Sequence, residues 1–292
     1  VTNCTNIYDT EPGTVHITNY AELQAIKDAV RTDTNYILDN NIDCTSESAF
    51  IPIGTYLVPF VGTFDGQNYT ISNLTTFDYE SLGDGVGLFR CIGSYSGSWH
   101  GGCRAEISNL ILENPTIRTP YAGGALCGFV QCALIDNVHV VNGTIYGYPG
   151  EDAMSLGGLC GEIYGWLEDG TQSLITNCTS SGTVNGADFI GGLIGGIWGF
   201  NDTTIISDCS SSVTVTSESP PYDYDNDTVG GFIGFNQVLI KDCYCTGDVI
   251  INSSPGYDVD GVGGFAGQGS NFDNCYSTGD VIVNTPTADS AE

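Results

Sequence analysis

The chain has 292 residues, of which 35 are acidic and six basic, giving a formal charge of −29 at neutral pH. Such a surface cannot neutralise phosphates, which excludes nucleic acid as a partner and disfavours anionic membranes. Forty glycines, 12 cysteines and a single methionine suit turn-dense β structure rather than helices.

In chain order, residues 1–20 read as a lead-in with Cys4, a turn at Glu11-Pro12-Gly13 and a β run over Thr14 to Ile17. Asn19 then caps a short amphipathic helix, predicted over Tyr20 to Arg31, with Leu23, Ile26 and Val30 on one face. Residues 1–34 are expected to cap the strand edges that a stack of coils leaves unpaired. Residues 35–75 build the first coils and close on Ile71-Ser72-Asn73-Leu74. From Asp78 to Cys103 the glycine-rich sequence reads as an extruded loop. Neither a signal peptide nor a membrane-spanning run is visible, and Val1 opens in mature-looking sequence. A secreted chain with its leader removed is the expectation.

From there one pattern repeats. Gly191-Gly192-Leu193-Ile194-Gly195 with Ile206-Ser207-Asp208-Cys209 returns as Gly230-Gly231-Phe232-Ile233-Gly234 with Ile240-Lys241-Asp242-Cys243, and again at 263–267 with Phe272-Asp273-Asn274-Cys275. Gly157-Gly158-Leu159-Cys160-Gly161 with Ile175-Thr176-Asn177-Cys178 precedes them, and fainter copies stand at 123–126 and 86–89. The second glycines fall at 87, 124, 158, 192, 231 and 264, a period of 33 to 39 residues. Each unit holds short apolar runs separated by Gly, Asn, Asp and Ser, too little to bury a core alone. The prediction is an all-β fold, a parallel β-solenoid of about seven coils over 35–283, with a polar tail at 284–292. Leu88, Leu159, Leu193, Phe232 and Phe265 should form one inward column and the Ile of each Ile-x-Asn/Asp step a second.

This pattern, with the Ile-x-Asn-Cys-x-Ser/Thr-Gly-x-Val continuation, resembles the GLUG repeat of bacterial and protist surface proteins. That repeat also occurs in filamentous-haemagglutinin-like adhesins and beside some immunoglobulin-A proteases. The preceding segment, from Asn19-Tyr20-Ala21-Glu22-Leu23 to Phe64-Asp65-Gly66-Gln67-Asn68-Tyr69, is similar to the start of such helices. The resemblance implies the fold and leaves function open.

The cysteines lack zinc-type spacing, so disulfides and an oxidising compartment are expected. Cys178, Cys209, Cys243 and Cys275 are equivalent, and stacking sets their Cα atoms about 4.8 Å apart, within disulfide range. The expected bridges are Cys178–Cys209 and Cys243–Cys275, with Cys4–Cys44 and Cys91–Cys103 elsewhere. Cys127 with Cys160 is the best pairing among the rest, and a column of buried thiols is the alternative.

Eight Asn-x-Ser/Thr sequons occur. Asn73 and Asn177 sit on the repeating asparagine position, where a stacked ladder explains them equally well, and Asn68 lies just before it. Asn142, Asn201, Asn226 and Asn252 lie in turns or insertions and are the glycosylation candidates, if the source is eukaryotic. Stacking also brings Asp225, Asp227, Asp258 and Asp260 to one corner, a candidate calcium site, with solvated turn aspartates as the bland alternative. His16, His100 and His139 accompany no nucleophile motif, and Gly-x-Ser-x-Gly and His-Glu-x-x-His are absent. We therefore expect no enzyme, but a secreted structural or adhesive surface glycoprotein that stacks end to end into a filament or appendage. A glycan or cell-surface receptor is a further expected partner. The alternative is a carbohydrate-binding or carbohydrate-processing β-helix, with Tyr146, Tyr148, Tyr222, Tyr224 and Tyr257 offering ring faces.

Overall fold

The computed structural model describes residues 13–28, 34–45, 49–77, 85–94, 105–148, 155–164, 173–199, 204–218, 228–252 and 261–284. Their strands lie in sheets of nineteen, six and four members, paired in parallel from coil to coil. Of the one helical segment described, Tyr20–Ala25 is α-helical and Ile26–Asp28 tightens into a 3-10 turn. Asn19 Oδ1 accepts from the Glu22 N–H at 3.1 Å while Glu22 accepts from the Thr18 N–H at 2.7 Å, a reciprocal cap. Leu23 and Ile26 are buried. No described helix is long and apolar enough to cross a membrane.

Both predicted columns form. Leu88, Leu159, Leu193 and Phe232 are fully buried, and Phe232 stacks on the half-buried Phe265 at 4.8 Å and 7°. The isoleucine column runs Ile107, Ile135, Ile175, Ile206, Ile240 and Phe272 in register, and continues upstream through Phe64 and Tyr36. After each isoleucine step the chain turns a corner on a residue with positive φ, such as Asn109, Asn137, Asn177, Asp208, Asp242 and Asn274. Asparagine and aspartate tolerate that conformation because their short polar side chains bond locally. Here those bonds run between coils: Asn137 Nδ2 donates to Asn109 Oδ1 at 2.9 Å and Asn177 Nδ2 to Asp136 Oδ1 at 2.8 Å.

The glycine motif has a steric cause. A Cβ on Gly161 would lie 2.5 Å from Gly123 N, and one on Gly195 would lie 2.5 Å from Leu156 N. Both neighbours are backbone atoms, Leu156 in the facing four-stranded sheet and Gly123 bridged to Leu156 beside it. The six-stranded and four-stranded sheets thus close backbone to backbone along a seam that only glycine permits.

Candidate functional site

Beyond the seam the two small sheets put side chains outside the main core. From the six-stranded sheet one axial row carries Cys91, Phe129, Glu162, Gly196 and Phe235, with Tyr164 and Trp198 two residues further on. From the four-stranded sheet come Ser155, Phe189 and Thr228 in register. Cys91, Ala122 and Phe129 bury one another here, with Tyr164 packed against them. Phe129 and Tyr164 stack at 5.7 Å and 27°, and Trp198 and Phe235 at 4.5 Å and 27°. Phe189 meets the Trp198 ring edge-on at 4.8 Å. Two backed ring pairs therefore flank a carboxyl.

That carboxyl is Glu162. Burial among these groups pushes its pKa up to about 7, against hydrogen bonds from Tyr164 and Ser155 that pull it down. The same burial, with the Glu162 charge beside it, pushes the Tyr164 hydroxyl well above its usual range. The indole N–H of Trp198 and the hydroxyl of Thr228 are buried with no hydrogen-bond partner. Sequence reasoning missed this rim. Its residue types differ from coil to coil, and its only signal is position: the row residue directly follows the third glycine of each Gly-Gly-x-x-Gly.

The predicted disulfides require a correction. Cys178, Cys209, Cys243 and Cys275 stand as thiols, and no S–S bond joins Cys178 to Cys209 or Cys243 to Cys275. They stack as predicted, each chain corner bonding to the next through Ser210 N–H to Cys178 O and Tyr244 N–H to Cys209 O. In-register parallel strands keep equivalent Cβ atoms about 4.8 Å apart as well, whereas a disulfide needs about 3.8 Å. The sulfurs instead serve the corner. Cys209 Sγ accepts from the Cys178 N–H and Cys243 Sγ from the Cys209 N–H, both at 3.4 Å. Each thiol donates to the carbonyl two residues back, Cys209 to Ser207 O at 3.1 Å and Cys243 to Lys241 O at 3.1 Å. Thiol–thiol hydrogen bonding along the ladder, with burial, pushes the Cys209 and Cys243 thiols up, away from thiolate reactivity. In the two preceding coils the same column holds Val138 and Leu110, which marks the position as core packing. Cys127 and Cys160 are likewise thiols, with sulfurs 3.5 Å apart. Of the other pairs, Cys4 and Cys103 lie outside the described residues, while Cys44 and Cys91 are buried.

The calcium candidates Asp225, Asp227, Asp258 and Asp260 lie outside the described residues, as do Asn201, Asn226 and His100. Asn142 is exposed at a corner with φ of 54°. Asn252 is exposed at a strand end, where its Oδ1 accepts from Asn284 at 3.0 Å. Asn73 and Asn177 belong to the asparagine ladder. His16 pairs with Asp39 at 3.0 Å on the surface, and His139 bridges Thr179 and Asn137. Tyr146 and Tyr148 meet edge to face at 6.0 Å, whereas Tyr222, Tyr224 and Tyr257 lie outside the described residues.

The GLUG motif matches residues 152–185, the coil that contributes Ser155, Glu162 and Tyr164. No curated protein matches the chain. Among solved structures, one similar chain is a Bacteroides ovatus protein described as a "putative immunoglobulin A1 protease". The two share 18% identity and a TM-score of 0.59 over 92% of this chain and 84% of that one, a likeness of fold. The chain is a parallel β-helix protein that carries the GLUG motif.

Proposed function

We propose that the chain is a non-catalytic, extracellular surface module that joins its neighbours axially, coil end to coil end, in a fibre or appendage. The observation that carries this reading is the face of the coil at 261–284. Phe272, Val281 and Val283 are 39%, 45% and 54% exposed there, whereas their equivalents one coil inward, Ile240, Val249 and Ile251, are fully buried. Tyr244 and Tyr276 stack at 5.4 Å and 8°, so that column also ends on an open ring. The face thus has the composition of an internal coil–coil contact and would accept another coil by the same packing, whether from further chain or from a neighbouring copy. Head-to-tail contact of this kind is heterologous and grows into rods. In this reading the Tyr20–Ala25 helix covers the amino end, and the charge of −29 opposes lateral clumping while leaving axial stacking open. Glycans on Asn142 and Asn252 and a calcium ion at Asp225, Asp227, Asp258 and Asp260 belong to the same proposal. Sedimentation and negative-stain electron microscopy test it. Rods that lengthen with concentration and fall to single particles on combined Val281→Asp and Val283→Asp substitution are expected. Monomers at all concentrations overturn it.

A further inference from the structure

We propose that the edge of strand Thr14–Ile17 is the acceptor for the open coil face of a second copy of this chain, with Phe272 of one copy seated on Val15 of the next. This rests on the axial-assembly reading and names the surface that reading needs at the amino end. Among the described residues the isoleucine column is open at both ends. It stops on Phe272, 39% exposed, at the carboxyl side, and on Val15, 41% exposed and in register with the buried Tyr36, at the amino side. The Tyr20–Ala25 helix buries its Leu23, with Ile26 behind it, yet leaves Val15 exposed. Thr14–Ile17 pairs in parallel with Asn35–Leu38, and no second strand is paired with it among the described residues.

The two edges match in backbone and in charge. Gly13 O and Ile17 O accept from the Asn35 and Asp39 N–H groups, so the peptide groups of Thr14 and His16 face away from the stack. At the other end Asn271 O and Asp273 O accept from the Ile240 and Asp242 N–H groups, so those of Phe272 face outward. Carrying the internal register on at about 4.8 Å per rung pairs Phe272 N–H with Thr14 O, and His16 N–H with Phe272 O. The bonding of the internal rungs is thereby continued across the junction. The same register sets Asp273 against His16. Lys241 stands one rung inward from Asp273, so the row reads ammonium, carboxylate, imidazole. His16 is exposed and oriented by Asp39 at 3.0 Å. Such a row fixes register and direction between copies that otherwise repel through a charge of −29 each.

The test mixes two variants of the 292-residue chain, each blocked at one end, and reads mass by sedimentation. Val15→Asp spoils only the amino edge and Phe272→Asp only the carboxyl face, and both positions are exposed. The parent should form rods, and each variant alone should stay monomeric. Their equimolar mixture should form dimers and stop there, because one competent end of each remains. His16→Glu, which sets a carboxylate against Asp273, should raise the half-assembly concentration about tenfold, and His16→Lys should not. Should either aspartate variant melt early, His16→Glu carries the test, and an unchanged half-assembly concentration overturns the proposal. A monomeric parent overturns the axial reading and this one with it. With parent rods formed, rods from Val15→Asp, pairing of Val15→Asp with itself, or a mixture that stays monomeric overturns the acceptor edge alone.

Discussion

Replacing Gly195 by alanine tests the seam directly. The added Cβ would stand 2.5 Å from Leu156 N, 2.6 Å from Gly161 O and 2.7 Å from Ser155 C. All three are backbone atoms on two different strands, so no side-chain rotation relieves the contact. Gly195 is not among the positive-φ residues, so the substitution carries no dihedral strain and the cost is steric. Relief requires the two sheets to part by about 1 Å, which Gly161 and Gly234 resist by holding the same seam in the flanking coils. Overpacking typically costs about 1–3 kcal/mol, and a backbone-on-backbone clash belongs at the upper end. For a chain of this size each kcal/mol shifts the melting temperature by roughly 2–4 °C, so a fall of about 6–12 °C is expected. Gly13→Ala is the control, because a Cβ there meets nothing within 4 Å and should change stability by less than about 0.5 kcal/mol. Thermal melts followed by circular dichroism decide it. Equal melting of Gly195→Ala and the parent would refute the seam.

The Glu162 carboxyl gives a pH dependence of defined sign. Its pKa of about 7, against an ordinary 4.5, means the folded chain holds a proton that the unfolded chain releases between those values. Stability conferred by that proton is therefore full below pH 4.5 and declines as pH rises through 7, by about 3 kcal/mol. Comparing urea midpoints of the parent and Glu162→Gln at pH 5 and pH 8 isolates it, and parallel curves would contradict it. Cys209→Val removes the sulfur that accepts the Cys178 N–H and should cost about 1–3 kcal/mol, whereas Cys209→Ser keeps an acceptor and should cost less. The parent should also show no Cys178–Cys209 link in a non-reducing peptide map. Asn177→Ala should lose about 1–2 kcal/mol, because alanine resists a φ of 54°, and Asn177→Gly should recover most of it. A denaturation series ranking alanine above glycine would exclude that cause.

Half of this molecule was legible because a stacked coil repeats its constraints. The seam needs glycine in every turn and the core needs an isoleucine or its equivalent in every turn, so both requirements are written at a fixed period. The same logic misled at the cysteines. Repetition announced that Cys178, Cys209, Cys243 and Cys275 are neighbours, and Cα spacing alone then suggested a bridge. Parallel, in-register strands hold equivalent Cβ atoms about 4.8 Å apart, beyond the roughly 3.8 Å of a bridge, so sulfurs can approach within hydrogen-bonding reach without bonding covalently. Val138 and Leu110, one and two coils before Cys178 in that column, already showed the position to be a matter of apolar volume.

The rim inverts the argument. What the fold requires recurs, and what it does not require is free to differ. Along one axial row the chain places Phe129, Glu162, Gly196 and Phe235 at structurally equivalent points. Four neighbours in one backbone environment would share a residue type if packing alone chose them. Instead a carboxyl is partly buried beside aromatic pairs at a cost that its raised pKa records, and Gly196 yields its place to the Trp198 indole, whose Nε1 would lie 3.2 Å from a Cβ there. A costly group at a position the fold leaves unconstrained is a candidate functional residue. In a solenoid, the search for function therefore belongs at the rungs that break the pattern.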